Sequence, residues 1–195
     1  MSSRVSRWLP GISGVLMLGV AAGFAGNAYA VDPPQTASDH VYIVDYNTGT
    51  VIYDKAGEEK LHPASMSKLM TIYLLFEALK KGDIKLTDTF HVSQKAWSTQ
   101  GSKMFVPINA DVPVEDLIRG IIVQSGNDAC VVVAEGLAGS EEAFAERMNK
   151  KAAELGLKDS HFVNASGLPD PNHLMTAQDL YLLAKHLFED FPEDY

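Results

Sequence analysis

The 195 residues contain a single cysteine, Cys130, so no disulfide can form within the chain and a cystine-stapled scaffold is excluded. Positive charge is scarce: Lys and Arg number 16 against 25 acidic residues, the net charge is −9, and no basic cluster interrupts the excess. Phosphate backbones are held by Lys and Arg, so nucleic acid is not expected as a partner. The histidines, His40, His62, His91, His161, His173 and His186, show no H-E-x-x-H or closely paired spacing, and surface or capping roles suit them. Glycine-rich phosphate loops and internal repeats are absent too, so no metal and no cofactor is expected. With 46% hydrophobic and 21% charged residues, the chain reads as globular.

Residues 1–30 hold Arg4 and Arg7, no acid, an apolar stretch over 12–25, and then Ala28-Tyr29-Ala30. That order predicts a secretory signal cleaved before Val31. The apolar run is shorter than the ~20 residues a spanning helix needs, which argues against a permanent anchor. Residues 31–195 are then the folding part, long enough to bury a core without a metal or disulfide. Cys130 lies in the apolar run Cys130-Val131-Val132-Val133-Ala134 and is expected to be a small buried hydrophobe rather than a redox or nucleophilic group.

The β-rich runs over 41–46 and 51–54, separated by Asn47-Thr48-Gly49-Thr50, predict a hairpin. Both faces of its first strand are apolar, as in a strand covered on two sides, yet no comparable strand set follows to complete a sheet. Helices are predicted over 65–81, 113–123, 128–137, 140–155 and 176–189. Ser140 is the expected N-cap of the fourth, Gly156 its stop, and Thr176-Ala177-Gln178-Asp179 a capping box. The first helix is apolar nearly all round from Leu69 to Phe76, so it is expected to be the buried centre, with Met70, Tyr73 and Phe76 in the core.

Ser65 and Lys68 open that helix three residues apart, which sets them on one face about 5 to 6 Å apart between Cβ atoms. A serine hydroxyl beside an amine that loses hydration in an apolar helix is the outline of an activated nucleophile. Ser125-Gly126-Asn127 lies between two predicted helices. Gly126 is expected to supply an unusual backbone turn that projects a hydroxyl and an amide into one cleft.

The flanks of these motifs are Pro63-Ala64-Ser65-Met66-Ser67-Lys68-Leu69-Met70-Thr71, Ile118-Arg119-Gly120 and Gln124-Ser125-Gly126-Asn127-Asp128-Ala129-Cys130. Together they resemble the serine D-alanyl-D-alanine carboxypeptidases, the low-molecular-mass penicillin-binding proteins. Gly101-Ser102-Lys103-Met104-Phe105 and residues 162–168 fit in the same order, so the resemblance spans 37–195. It implies an α/β (α+β) fold of the penicillin-binding protein and β-lactamase type: an antiparallel sheet flanked by helices, joined to a helical lobe, with the active site between them.

The resemblance makes Ser65 the acyl-ester nucleophile, Lys68 its general base, Ser125 a proton relay to the leaving amine, and Asn127 a substrate-binding amide. It implies a peptidoglycan stem peptide ending in D-Ala-D-Ala as substrate, and acylation of Ser65 by β-lactam antibiotics. It also implies a location in the periplasm or on the outer face of the bacterial cytoplasmic membrane.

The family's third motif, Lys-Thr/Ser-Gly, does not occur in the 195 residues. The chain is therefore read as the N-terminal part of the catalytic domain, truncated before the last sheet strands. By itself it is expected not to release D-alanine, and any membrane association is expected to come from sequence beyond Tyr195.

D,D-endopeptidases share these motifs and remain open. A class A β-lactamase would carry E-x-x-x-N after the second motif, whereas Glu146-Arg147-Met148-Asn149 has the wrong spacing. A non-catalytic binder of cell-wall peptides would have no use for a desolvated Lys68.

Overall fold

In the first described strand, β1 (Val41–Val44), alternate side chains face opposite ways, and antiparallel β2 (Val51–Lys55) returns beside it as the expected hairpin. These coordinates are a computed structural model that describes residues 34–195, so the expected signal segment over 1–30 lies outside the described residues. The register slips where Ile43 pairs with Tyr53 but Val44 with Val51, leaving Ile52 as an extra bulged residue.

Only one face of the hairpin is covered. Tyr42 meets Tyr181 edge-on at 5.7 Å, and Tyr46 meets Phe188 at 5.4 Å. Ile43, Val51 and Ile52 stay exposed, Ile52 by 64%. Two-sided cover, expected because both faces of the first strand are apolar, is therefore not present among the described residues.

Pro63 leads into a 3₁₀ turn, Ala64–Ser67, which passes into α1 (Lys68–Lys81). Two short strands unforeseen in the sequence follow, β3 (Thr89–His91) and β4 (Asp111–Pro113). They pair antiparallel and flank the equally unforeseen α2 (Gln94–Ser98). Strands of three residues carry too little alternation to be read from pattern. The described residues thus hold two separate two-stranded sheets.

Four helices complete the unit: α3 (Val114–Gln124), α4 (Asn127–Ala138), α5 (Glu141–Glu154) and α6 (Ala177–Asp190). Ser140 caps α5 as expected, its hydroxyl accepting from Ala143 N–H at 3.1 Å. The capping box of α6 is half made. Thr176 Oγ1 accepts from Asp179 N–H, but the Asp179 carboxylate turns instead to the Asp159 N–H and the Ser160 hydroxyl.

Burial revises the expected centre. Helix α1 buries Met70 through Phe76, but α4 is buried without a break from Asn127 to Ala134 and packs against α1, α2, α3, α5 and β3. Small and β-branched residues from Ala129 to Ala134 let five elements approach one helix closely. Cys130 is fully buried there, and burial pushes its thiol up to about 12, in keeping with an inert apolar role. Among the described residues no helix is long and apolar enough to cross a membrane.

Candidate active site

Ser65 sits exposed in the 3₁₀ turn, while Lys68, at the first position of α1, is 5% exposed. The Lys68 amine donates to Ser65 Oγ at 3.1 Å and to the Ser166 carbonyl at 2.7 Å. Burial holds its pKa below the usual lysine value, partly offset by nearby Cys130. A cation taken from water without a carboxylate beside it favours its neutral form. One turn on, the Thr71 hydroxyl donates to the Ala165 carbonyl at 2.6 Å. Two successive carbonyls of a distant segment are thus fastened to the start of α1.

That segment is shaped by Asn164, whose Oδ1 accepts from the Gly167 N–H at 2.8 Å and from Ser166 and Leu168 N–H at 3.2 Å each. Its amide closes the loop on the Leu168 carbonyl at 3.0 Å. Gly167, at φ +80°, lies so close behind the Ser65 turn that a Cβ there would stand 1.8 Å from the Ala64 carbonyl oxygen. Ala64 itself has φ +48°, an uncommon conformation for a residue with a Cβ.

Ser125 ends α3 in the left-handed region, φ 54° and ψ 37°, and shares with Ser65 and Lys68 a cleft of about 630 Å³ walled by Leu69, Ile72 and Ile121. Gly126 is not the source of the turn, as the sequence suggested. Its φ is −61°, and its lack of a side chain serves close approach instead, since a Cβ would stand 3.1 Å from Asp128 Oδ1 and from Met104 N. The strained residue is the serine.

Asn127 does not line this cleft. Its amide donates to the Gln100 carbonyl at 2.8 Å and its backbone N–H to the Ser102 carbonyl at 2.7 Å, fixing the loop beside the site. The next residue extends that hold: the buried Asp128 carboxylate accepts from Met104 N–H at 3.0 Å and Val106 N–H at 3.2 Å.

The structure therefore brings Ser65, Lys68 and Ser125 to one cleft and gives Asn127 a loop-holding contact. Sequence reasoning missed Asn164, Ser166, Gly167 and Asp128. The signals available were the run over 162–168 and, for Asp128, its place in the flank of the second motif. It also misassigned His173, which is buried against Ser67 rather than at the surface. Among the described residues no group of three His, Cys, Asp or Glu side chains could hold a metal.

Helices flanking small antiparallel sheets, with a serine and lysine at the head of a buried helix, define the penicillin-binding protein fold. The solved penicillin binding protein 5 of Haemophilus influenzae superposes with a TM-score of 0.82 at 40% identity, covering 85% of this chain and 49% of that one. The family model for D-alanyl-D-alanine carboxypeptidase, peptidase S11, matches residues 27–195, and the chain belongs to that family.

Among its relatives, D-alanyl-D-alanine carboxypeptidase DacA of Haemophilus influenzae is 39% identical over 170 residues, 86% of this chain and 43% of the relative. DacF of Bacillus subtilis is 41% identical over 172 residues, 85% of this chain and 44% of the relative. The matched stretch thus spans less than half the length of these curated relatives.

Proposed function

We propose that the protein is a serine D-Ala-D-Ala carboxypeptidase that trims peptidoglycan stem pentapeptides through an acyl-enzyme on Ser65. The observation that carries this reading is the buried Lys68 amine, 3.1 Å from Ser65 Oγ and with its pKa lowered by burial. In its neutral form the amine takes the Ser65 proton as Oγ bonds to the carbonyl carbon between the two D-alanines. Ser125, in the same cleft, passes a proton to the departing amine as the C–N bond breaks. Water then hydrolyses the ester and frees Ser65. Asn127, with its amide spent on the Gln100 carbonyl, serves this reading by holding the neighbouring loop. Penicillins, carrying a strained amide, acylate the same hydroxyl.

Labelled penicillin is expected to attach to Ser65, located by mass spectrometry of the labelled peptide, and to be lost in Ser65→Ala. Attachment at Ser67 or Ser125, or undiminished labelling in the variant, would overturn the assignment.

The reading includes export. The order of charge, apolar run and Ala28-Tyr29-Ala30 in the first thirty residues supports a processed protein outside the cytoplasmic membrane. N-terminal sequencing of the processed protein should begin at Val31-Asp32-Pro33. A start at Met1 would refute cleavage.

A further inference from the structure

We infer that His173 is a positioning residue for Ser65, acting through Ser67 to hold the turn on which Ser65 sits. This inference rests on the function proposed above, which makes Ser65 the reacting group.

The turn has little to hold it locally. Pro63, before it, offers no N–H, no side chain caps the 3₁₀ segment, and Ala64 is in the left-handed region at φ +48°. Beyond its own backbone bonds, such as Met66 N–H to the Pro63 carbonyl at 3.1 Å, and the Lys68 amine on Ser65, a further hold comes from 106 positions away, where His173 Nε2 lies 2.8 Å from the buried Ser67 Oγ.

The geometry fixes the tautomer. His173 Nδ1 faces the Val163 N–H at 3.3 Å, and an N–H can only donate, so Nδ1 accepts. The ring proton is therefore on Nε2 and is donated to Ser67 Oγ. The backbone of His173 is secured as well. Its carbonyl accepts from His62 Nδ1 at 3.1 Å, and the next two residues form antiparallel bridges, Leu174 with His161 and Met175 with Leu61. Phe162 packs edge-on against the ring at 5.6 Å. An imidazole so placed transmits the position of the 161–175 segment to the residue two places after Ser65.

The charged and titratable groups facing the ring are Asp170, which favours protonation, and His161 and His62, which oppose it; burial outweighs all three and lowers His173 to about 4. Lys68 is turned to the Ser166 carbonyl and Ser65, not to the ring. Protonation would put a second N–H on Nδ1, directly against that of Val163, so acid should release the brace.

The test combines substitution with a readout of the ring itself. In the protein carrying His173→Phe, which keeps a ring without a donor, acylation of Ser65 by labelled penicillin should slow about 10-fold, as a misplaced nucleophile does. The loss should fall on the acylation step and not on the preceding non-covalent binding. His173→Gln, which can restore an N–H toward Ser67, should recover to within about twofold of the unaltered protein. Ser67→Ala should match His173→Phe, and the double variant should lose nothing more.

In the unaltered protein the decline of the acylation rate with falling pH should steepen near pH 4, a second limb absent from His173→Phe. Independently, ring ¹⁵N NMR of the unaltered protein should find the Nε2–H tautomer, with a titration midpoint that moves in Ser67→Ala. Unchanged acylation and pH profile in His173→Phe, or an Nδ1–H tautomer, would overturn the inference. If the unaltered protein takes up no penicillin, the proposed function falls, and the tautomer and its response to Ser67→Ala still decide whether the brace exists.

Discussion

Lys68→Arg is expected to slow acylation of Ser65 about 1000-fold, the range associated with losing a positioned general base. Arginine keeps a positive charge and can still donate to the Ser166 carbonyl, so a purely structural role for Lys68 would be largely preserved. What it cannot do is give up a proton, because a guanidinium stays charged at any working pH. The side chain in question is 5% exposed and 3.1 Å from the hydroxyl it would deprotonate.

In the unaltered protein, acylation should rise with pH as the neutral amine becomes populated. The midpoint should fall below the ordinary lysine value of 10.5, because burial disfavours the charged form. Rapid-quench rates with labelled penicillin across pH 5 to 10 check both statements. A Lys68→Arg rate within tenfold of the unaltered protein would remove Lys68 from the role of base.

The second large effect is expected at Gly167, where alanine should cost about 4 kcal/mol of stability and lower the melting temperature by about 10 °C. Two separate penalties combine. A left-handed φ costs roughly 1 to 2 kcal/mol for a residue with a Cβ, and the rest comes from a clash that no rotamer relieves. The added atom would stand 1.8 Å from the Ala64 carbonyl oxygen and 2.9 Å from Ser67 Oγ, so backbone must move, and the backbone in question carries Ser65.

Gly139 supplies the internal comparison. Its φ is +81° but nothing lies within 4 Å of its virtual Cβ, so Gly139→Ala should lose only the conformational part. Equal melting temperatures for the two variants would show that the close approach at Gly167 is not constraining.

The parts of the site that were legible in the sequence are those whose signals are local. Ser65 and Lys68 are three residues apart at the head of an apolar helix, and helical geometry alone brings them together. Ser140 and Thr176 announce their helices by the same short-range logic, because an N-cap acts on amides two or three residues away.

What was not legible depends on contacts across the chain. The Ser166 carbonyl that holds Lys68 is a backbone atom common to all residues, 98 positions from its partner, and leaves no mark in composition. The second half of the α6 capping box failed because Asp179 found better-placed donors at Asp159 and Ser160, a competition decided by tertiary packing. At Ser125-Gly126 the usual assumption that glycine takes the left-handed position was overridden. Gly126 was needed where Met104, Asp128 and Gly120 crowd together, and Ser125 took the strain.

Cys130 gives the protein a built-in clock for the opening of its core. It is the chain's sole cysteine, fully buried in α4, with a thiol pushed up to about 12, so in the closed molecule it offers alkylating reagents neither access nor thiolate. Each modified molecule therefore records one excursion in which α4 parted from its neighbours. Because α4 packs against α1, the helix that Lys68 opens, those excursions loosen the support of the helix beside Ser65. The rate of alkylation can thus be followed alongside that of acylation, one counting how often the core opens and the other how often Ser65 reacts.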